Sequence, residues 1–167
     1  MPLKRVNIRT VAMGQGPLPS FLVLEQHEDG KARRIPIRIG SVEAAAINSG
    51  VHPAKKQRPR THDLLKATIE TLGAQLLNVR ICGVEGTTFF AQLVLRTANG
   101  REVRVDARPS DAIALAVRCD VDVLMADEVI EAASMLDLED VREAEQAAEA
   151  ADFHDFVEHL SPDDFAE

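Results

Sequence analysis

The chain contains no tryptophan and no tyrosine, and its aromatic residues are six phenylalanines. Proteins that bind single-stranded nucleic acid by base stacking need exposed aromatic rings, so this composition argues against a stacking platform. No apolar run in the sequence approaches the roughly 18–20 residues that a membrane span requires. The first residues lead into an alternating pattern instead of an apolar core, so we expect neither a secretory signal nor a transit peptide.

The sequence has two cysteines, Cys82 and Cys119, which show neither metal-ligand spacing nor a CxxC pattern. A disulfide between them stays open, but a reducing cytoplasm is the simpler prediction. The chain also lacks a P-loop, a GxGxxG fingerprint and a GxSxG elbow, so the chemistries that depend on these motifs are poorly supported. With 46% hydrophobic and 28% charged residues over 167 positions, the chain is predicted to be one globular domain with an appendage.

The net charge of −8 is distributed unevenly along the chain. Residues 1–136 carry 18 lysines and arginines against 15 acids, whereas residues 137–167 carry one arginine and 12 acids. The body alone therefore does not repel nucleic acid as an acidic protein would. Its cations cluster in two stretches, which either contact an anionic partner or lie solvated in loops. The first stretch holds Lys31, Arg33, Arg34 and Arg38, and the second holds Lys55, Lys56, Arg58 and Arg60.

The same order of predicted elements occurs twice in the body. A unit of three strands and two helices has one apolar sheet face that it cannot bury alone, so two units should close around a shared core. We predict an α+β fold for residues 1–136, with repeats at about 1–73 and 74–136. The alternative is chance similarity between two ordinary segments. The first unit has strands at 6–11, 20–27 and 35–39 and helices from Ser41 and Thr61; the second has strands at 75–81, 88–97 and 103–107 and helices from Ser110 and Asp127.

Polar residues gather at three predicted helix starts, at residues 38–43, 58–63 and 106–111, and each combines a cation, a hydroxyl residue and an acid. Taken singly, each segment is typical of a helix cap, because Ser and Thr are good N-cap residues and the helix dipole favours an acid in the first turn. In a duplicated fold, however, equivalent helix starts lie at related positions. We therefore expect the three segments to converge on one site.

Such a convergence has the parts for phosphodiester hydrolysis. Arginine binds phosphate bidentately, carboxylates hold a hard cation such as Mg²⁺ or Mn²⁺, and histidine can move a proton near neutral pH. We predict catalytic roles for Glu43, His62, Asp63 and Asp111, of which His62 moves the proton and Glu43, Asp63 and Asp111 bind the cation. The residues predicted to bind substrate are Arg38, Lys55, Lys56, Arg58, Arg60 and Arg108.

These same segments resemble the bifunctional nuclease (BFN) domain family. The resemblance rests on PIRIG with Glu43 and Ala44, on RPRTHDL at 58–64 and on DARPSDAIAL at 106–115, and residues 153–165 are similar to the family's usual end. It implies a duplicated unit that forms one barrel-like mixed sheet with helices packed outside, and nuclease activity on both DNA and RNA. It transfers no catalytic assignment, so the residues named above remain choices made on physical grounds.

Residues 137–167 form an acidic C-terminal tail that is predicted to be helical. Its first part is mostly Glu, Ala and Gln, and Phe153, Phe156, Val157 and Leu160 then fall on one helical face. We expect this face to dock on the body of the same chain. The alternatives are a second copy, which gives a homo-oligomer, or another partner. The acids of the tail would also compete with phosphate for the basic residues 55–60.

Two functions from different classes follow from these features. The first is a cytoplasmic nuclease acting on DNA and RNA, without a membrane partner and with little sequence preference, because the polar residues can hold phosphate but offer no base reader. The second is a non-catalytic regulatory module, or one that binds anions or nucleic acid without turnover. The sequence leaves open the physiological substrate, the metal, internal against terminal cleavage and the number of subunits.

Overall fold

The computed structural model describes residues 2–14, 19–28, 30–53 and 58–133. The predicted acidic tail and the cations Lys55 and Lys56 lie outside these residues. The described residues form seven strands and four helices. The strands are β1 (Leu3–Ala12), β2 (Ser20–Glu28), β3 (Lys31–Ile39), β4 (Gln75–Glu85), β5 (Thr88–Arg96), β6 (Glu102–Ala107) and β7 (Val123–Ala126), and the helices are α1 (Ser41–Val51), α2 (Thr61–Thr71), α3 (Pro109–Cys119) and α4 (Asp127–Ala133).

The strands form one mixed sheet in the order β3-β2-β1-β7-β4-β5-β6. Each half of the body contributes an antiparallel meander, β1 to β3 and β4 to β6. The short strand β7 joins the meanders, because it pairs antiparallel with β1 and parallel with β4. The predicted order of three strands and two helices is therefore present in each half, with β7 added to the second. That one half duplicates the other stays a prediction.

The sheet is open, so the barrel-like closure that we predicted is wrong. Strands β3 and β6 end the strand order, and no pairing joins them within the described part of the chain. Both edges carry charge, because β3 begins with exposed Lys31, Arg33 and Arg34, and β6 exposes Glu102 and Arg104. Charged edge strands resist further pairing. The sheet nevertheless curves, since α4 contacts both β3 and β4 although three strands lie between them.

Helix α3 lies at the centre of the fold and contacts β4, β5, α1 and α2. Pro109 occupies its first turn, where the missing N–H has no cost. At the other end Asp120 adopts a left-handed conformation with φ of 53° and donates its N–H to Ala116 O. Small and branched residues let the helix bury nearly its whole first two turns. The buried residues are Pro109, Ser110, Ala112, Ile113, Ala114, Leu115 and Ala116.

The core that surrounds α3 draws on both halves of the chain. Its fully buried side chains come from β2, β3 and α1 in the first half and from β4, β5, α3, β7 and α4 in the second, so neither half encloses it alone. None of the four helices that the structure describes has the length and apolar composition of a membrane span. The largest fully buried apolar residues are Leu22, Leu24, Ile35, Ile47, Ile81, Ile113, Leu115, Met125 and Ile130.

Truncating Ile113 tests this central role of α3. Because Ile113 is fully buried, Ile113→Ala should lower the free energy of unfolding by about 2–5 kcal/mol through lost burial and a residual cavity. Val42→Ala is the matched control, since Val42 is 78% exposed and its loss should change stability by less than about 0.5 kcal/mol. Urea unfolding of both variants measures the difference, and equal losses would contradict the assignment.

Candidate functional site

The first three helices begin in the same way, with an extended N-cap residue followed three positions later by an acid. The extended N-caps show that the hydroxyl residues predicted to cap these helices do not do so. Ser41 and Thr61 are the first residues of their helices, and Ser110 is the second residue of α3 because Pro109 precedes it. The N-cap and acid pairs are Gly40 and Glu43 in α1, Arg60 and Asp63 in α2, and Arg108 and Asp111 in α3.

The guanidinium of Arg108 connects two of these helix starts. Its Nε donates to Asp111 Oδ2 at 2.7 Å and its Nη2 donates to Asp111 Oδ1 at 3.3 Å. Its Nη1 reaches across to α1 and donates to Glu43 Oε1 at 3.0 Å. These contacts with Asp111 and Glu43 raise the pKa of Arg108 above its ordinary value, so the group stays positively charged. The predicted convergence of Glu43, Arg108 and Asp111 is thus present.

His62 joins the same network from the third helix start. Its Nε2 lies 3.2 Å from Asp111 Oδ1, and its side chain is 14% exposed. Burial raises the pKa of Asp111, but the hydrogen bonds and charges of Arg108 and His62 outweigh burial and hold that pKa below its ordinary value. Asp111 is therefore an ionised acceptor between an arginine and a histidine. Segments distant in the sequence form one chain of contacts from Glu43 to His62.

Asp63 belongs to a second network centred on Arg118, a residue that sequence reasoning missed. The Arg118 side chain is 6% exposed, and its Nε donates to Asp63 Oδ1 at 2.6 Å. Its Nη1 donates to Ala46 O at 3.0 Å and to Ala114 O at 2.8 Å, and its Nη2 donates to Ser49 Oγ at 2.9 Å. Arg118 therefore holds α1, α2 and α3 together. The position of Arg118 in the last turn of α3 predicts a favourable interaction with the helix dipole. It does not predict that the side chain is buried and holds three helices together.

The other oxygen of Asp63 serves its own helix. Asp63 Oδ2 accepts the Arg60 N–H at 2.8 Å, as a helix-capping acid does. This backbone hydrogen bond lowers the pKa of Asp63, and Arg118 lowers it further against the opposing effect of burial. Asp63 is thus engaged in capping and clamping, separately from Glu43 and Asp111.

An open cleft of about 280 Å³ lies beside the first network. One wall is the junction of β3 and α1, with Arg38, Gly40 and Glu43; a second is the start of α3, with Arg108. The turn between β4 and β5 supplies a third wall that sequence reasoning did not identify. Asp111 and His62 are not among the lining residues, so they contact the cleft through Arg108. The full lining is Ile37, Arg38, Ile39, Gly40, Glu43, Thr87, Thr88, Phe89, Arg108, Pro109 and Ser110.

The remaining predicted residues lie apart from this cleft lining. Arg58 and Arg60 are exposed just before α2 and do not line the cleft. The predicted cation ligands Glu43, Asp63 and Asp111 do not form one cluster, because Asp63 pairs with Arg118 while the other two pair with Arg108. Over the described ranges, no group of three or more His, Cys, Asp or Glu side chains is arranged to hold a metal ion.

Comparison of the sequence with known proteins places this chain in a family. The sequence profile of the bifunctional nuclease domain matches residues 22–137, and the chain belongs to this family. An uncharacterized protein of Mycobacterium tuberculosis is 36% identical over 151 residues, which is 88% of each chain. Bifunctional nuclease 1 of Arabidopsis thaliana is 29% identical over 114 residues, or 65% of this chain and 35% of the plant protein. The chain thus matches about a third of that plant relative.

The Arg118 clamp can be tested through Gly50 of α1. A Cβ at position 50 would lie 2.7 Å from Arg118 Nη1 and 3.2 Å from Val117 Cγ1. Alanine ordinarily stabilises a helix relative to glycine, but here we expect Gly50→Ala to lose about 1–3 kcal/mol through overpacking. Thermal unfolding measures the change, and an increase in stability would contradict the clamp. In an Arg118→Ala background the contact with the guanidinium is gone and only the contact with Val117 remains, so the penalty should be smaller.

The lowered pKa values of Asp63 and Asp111 predict how stability depends on pH. A carboxyl whose pKa is lower in the folded state stabilises the protein above its unfolded pKa. That contribution is lost as the pH falls from the ordinary value of 3.8 through the folded pKa. The Tm difference between the wild type and Asp111→Asn should therefore be largest at neutral pH and shrink below pH 3.8. A Tm difference that stays constant down to about pH 3 would show that the carboxylate charge of Asp111 is not stabilising.

Proposed function

We propose that the protein is a nuclease that hydrolyses phosphodiester bonds of DNA and RNA at this cleft. The observation that carries the proposal is the Arg108 guanidinium, which faces the cleft while two carboxylates from different helices hold it. Membership of the bifunctional nuclease domain family and the similarity to a plant bifunctional nuclease support it. The cytoplasmic location and the homo-oligomer stay predictions from the sequence.

Arg108 and Arg38 are the groups that would bind the phosphate. Both line the cleft, and the Arg108 side chain is 65% exposed, so its guanidinium is accessible to a ligand. Arginine recognises phosphate oxygens in a bidentate geometry. Because both arginines are assigned to the phosphate, and phosphate contacts carry no sequence information, we expect little sequence preference.

Glu43 is the carboxylate that would take the proton from water. Its Oε1 accepts Arg108 Nη1, which leaves Oε2 to act as the base. The water oxygen forms a bond to phosphorus, the bond from phosphorus to the leaving sugar oxygen breaks, and that oxygen is protonated from solvent. The products are a phosphomonoester and a free hydroxyl. We assign this proton transfer to Glu43 instead of His62, because Glu43 lines the cleft and His62 lies behind Asp111.

His62 and Asp111 would then act as positioning residues. Because Asp111 is ionised, His62 Nε2 donates to its Oδ1, and Asp111 in turn accepts both Nε and Nη2 of Arg108. A carboxylate held at two points fixes the plane of the guanidinium. This arrangement presents Arg108 to the phosphate in one orientation and lowers the entropy lost on binding.

The divalent cation stays a separate proposal. Asp63 is engaged by Arg118, and both Glu43 and Asp111 already accept from Arg108, so Mg²⁺ or Mn²⁺ held by Glu43 and Asp111 would have to compete with that arginine. A bound cation would supply charge neutralisation and water activation. The hydrolysis proposed for Glu43 does not require this cation, so activity measured with a chelator shows whether the cation is needed.

A binding module without turnover is the second candidate function. It is favoured by the pairing of Glu43, Asp63 and Asp111 with arginines, which is what structural ion pairs also show. In that case the cleft would hold an anion through Arg38 and Arg108, and Glu43 would only orient Arg108. If the protein is a nuclease, removing the Glu43 charge abolishes hydrolysis. If it is a binding module, the wild type itself shows no hydrolysis.

The deciding experiment compares wild type, Glu43→Gln and Glu70→Gln on labelled single-stranded DNA and RNA, with Mg²⁺, with Mn²⁺ and with chelator. Glu70 is an exposed acid on α2 outside the cleft, so its variant controls for the charge change and for contaminating nucleases. We expect Glu43→Gln to lower kcat by about 10²–10⁴-fold, the usual contribution of a general base. Its affinity for the nucleic acid should change by only a few-fold, and Glu70→Gln should match the wild type.

Two results would contradict the nuclease proposal. One is binding without hydrolysis under every metal condition, which is the behaviour of the alternative module. The other is hydrolysis that is equal in all three proteins, which identifies a contaminant or a different site. Arg108→Lys adds a further arm, because losing the bidentate fork should raise KM more than it lowers kcat.

A further inference from the structure

We infer that Gly40 is a positioning residue for the Glu43 carboxylate and, through it, for Arg108. Its meaning for catalysis rests on the proposed function, but the geometry does not. Gly40 is the N-cap of α1 and lines the cleft. A Cβ built at this position would overlap Glu43 Oε2, the far end of the Glu43 side chain. The Glu43 carboxylate therefore lies in the space that a side chain at position 40 would occupy.

Backbone conformation does not account for a glycine at this position. Gly40 has φ of −76° and ψ of 160°, an extended conformation that any residue adopts. It differs in this respect from Gly30, Gly73, Gly86 and Gly100, whose positive φ angles favour glycine. The contacts of Gly40 thus give a different reason for a glycine at this position, which is the space that the Glu43 side chain needs.

The space at position 40 matters for the cleft because the starts of α1 and α3 meet there. Arg108 is the N-cap of α3, as Gly40 is the N-cap of α1, and each helix has its acid three residues later. The Arg108 side chain leaves its own helix start and crosses to Glu43. It meets the carboxylate where Glu43 folds back over position 40. A side chain at position 40 would push the carboxylate away from this place and leave Arg108 with Asp111 alone.

The inference is tested by a double-mutant cycle on the full chain with Gly40→Ala, Glu43→Ala and the double variant. Gly83→Ala is the control, because a Cβ there meets Phe90 at 3.7 Å, an ordinary contact. Two readouts are used: kcat on labelled DNA, and the ¹H–¹⁵N signal of the Arg108 side-chain Nη1–H, which donates to Glu43 Oε1 and is assigned from its loss in Arg108→Lys.

In the otherwise wild-type protein, Gly40→Ala should lower kcat by about 10–100-fold, the effect of a misplacement of about 1 Å. The Arg108 signal should move toward its position in Glu43→Ala. In the Glu43→Ala background, Gly40→Ala should change neither readout, because the overlapping group is gone. Gly83→Ala should match the wild type in both.

Equal effects of Gly40→Ala with and without Glu43 would overturn the inference, as would an Arg108 signal that Gly40→Ala leaves unchanged. The second readout keeps the inference separate from the proposed function. If the wild type does not hydrolyse nucleic acid, the nuclease proposal fails, while the Arg108 signal still decides whether Gly40 positions Glu43.

Discussion

The contact on which the cleft depends is the guanidinium of Arg108 between two carboxylates. Glu43 and Arg108 are 65 residues apart in the chain and belong to different helices, yet they meet at 3.0 Å. Two carboxylates at one site repel each other unless a cation lies between them. Because Arg108 is exposed, its ion pairs contribute little to the free energy of unfolding. Their effect is to set the direction in which one cation faces the cleft.

Arg118 has the complementary role in the same group of helices. It is buried where Arg108 is exposed, and it bonds to Asp63, to two backbone carbonyls and to a serine. A buried arginine with its donors satisfied keeps α1, α2 and α3 in fixed relation, and removing such a group leaves polar atoms without partners. The helix starts can therefore meet because the helices behind them are held together. Arg118 thus stabilises the packing of the helices, and Arg108 provides the oriented charge that faces the cleft.

Much of the fold could be predicted from the sequence, because its signals are local. Alternating runs and Asp-Gly or Asn-Gly turns located both hairpins, and the helices began within about one or two residues of the predicted starts. The open sheet was missed, since closure depends on what the two edge strands do. The predicted unit of three strands did not include β7, which is only four residues long.

In the site, the partner of each acidic side chain depends on residues that are distant in the sequence. Asp63 and Asp111 occupy the same position in their helices, and nothing in their flanking residues distinguishes them. One caps its own backbone and pairs with Arg118, while the other reaches Arg108 and His62. Which partner lies opposite is decided by helix packing. Contacts through Arg108 bring Glu43, His62 and Asp111 into one network, but their catalytic roles stay predictions, and the sequence did not show that Asp63 belongs to a second network. The wall at Thr88 carried no sequence signal.

Whether Arg108 binds the phosphate of a substrate is seen directly in a crystal structure with a short phosphorothioate oligonucleotide bound. We expect a phosphate in the cleft, with its oxygens about 2.7–2.9 Å from the Arg108 guanidinium and the Glu43 carboxylate beside it. A phosphate held instead by the basic edge of β3, at Lys31, Arg33 and Arg34, with Arg108 making no contact to the ligand, would contradict it.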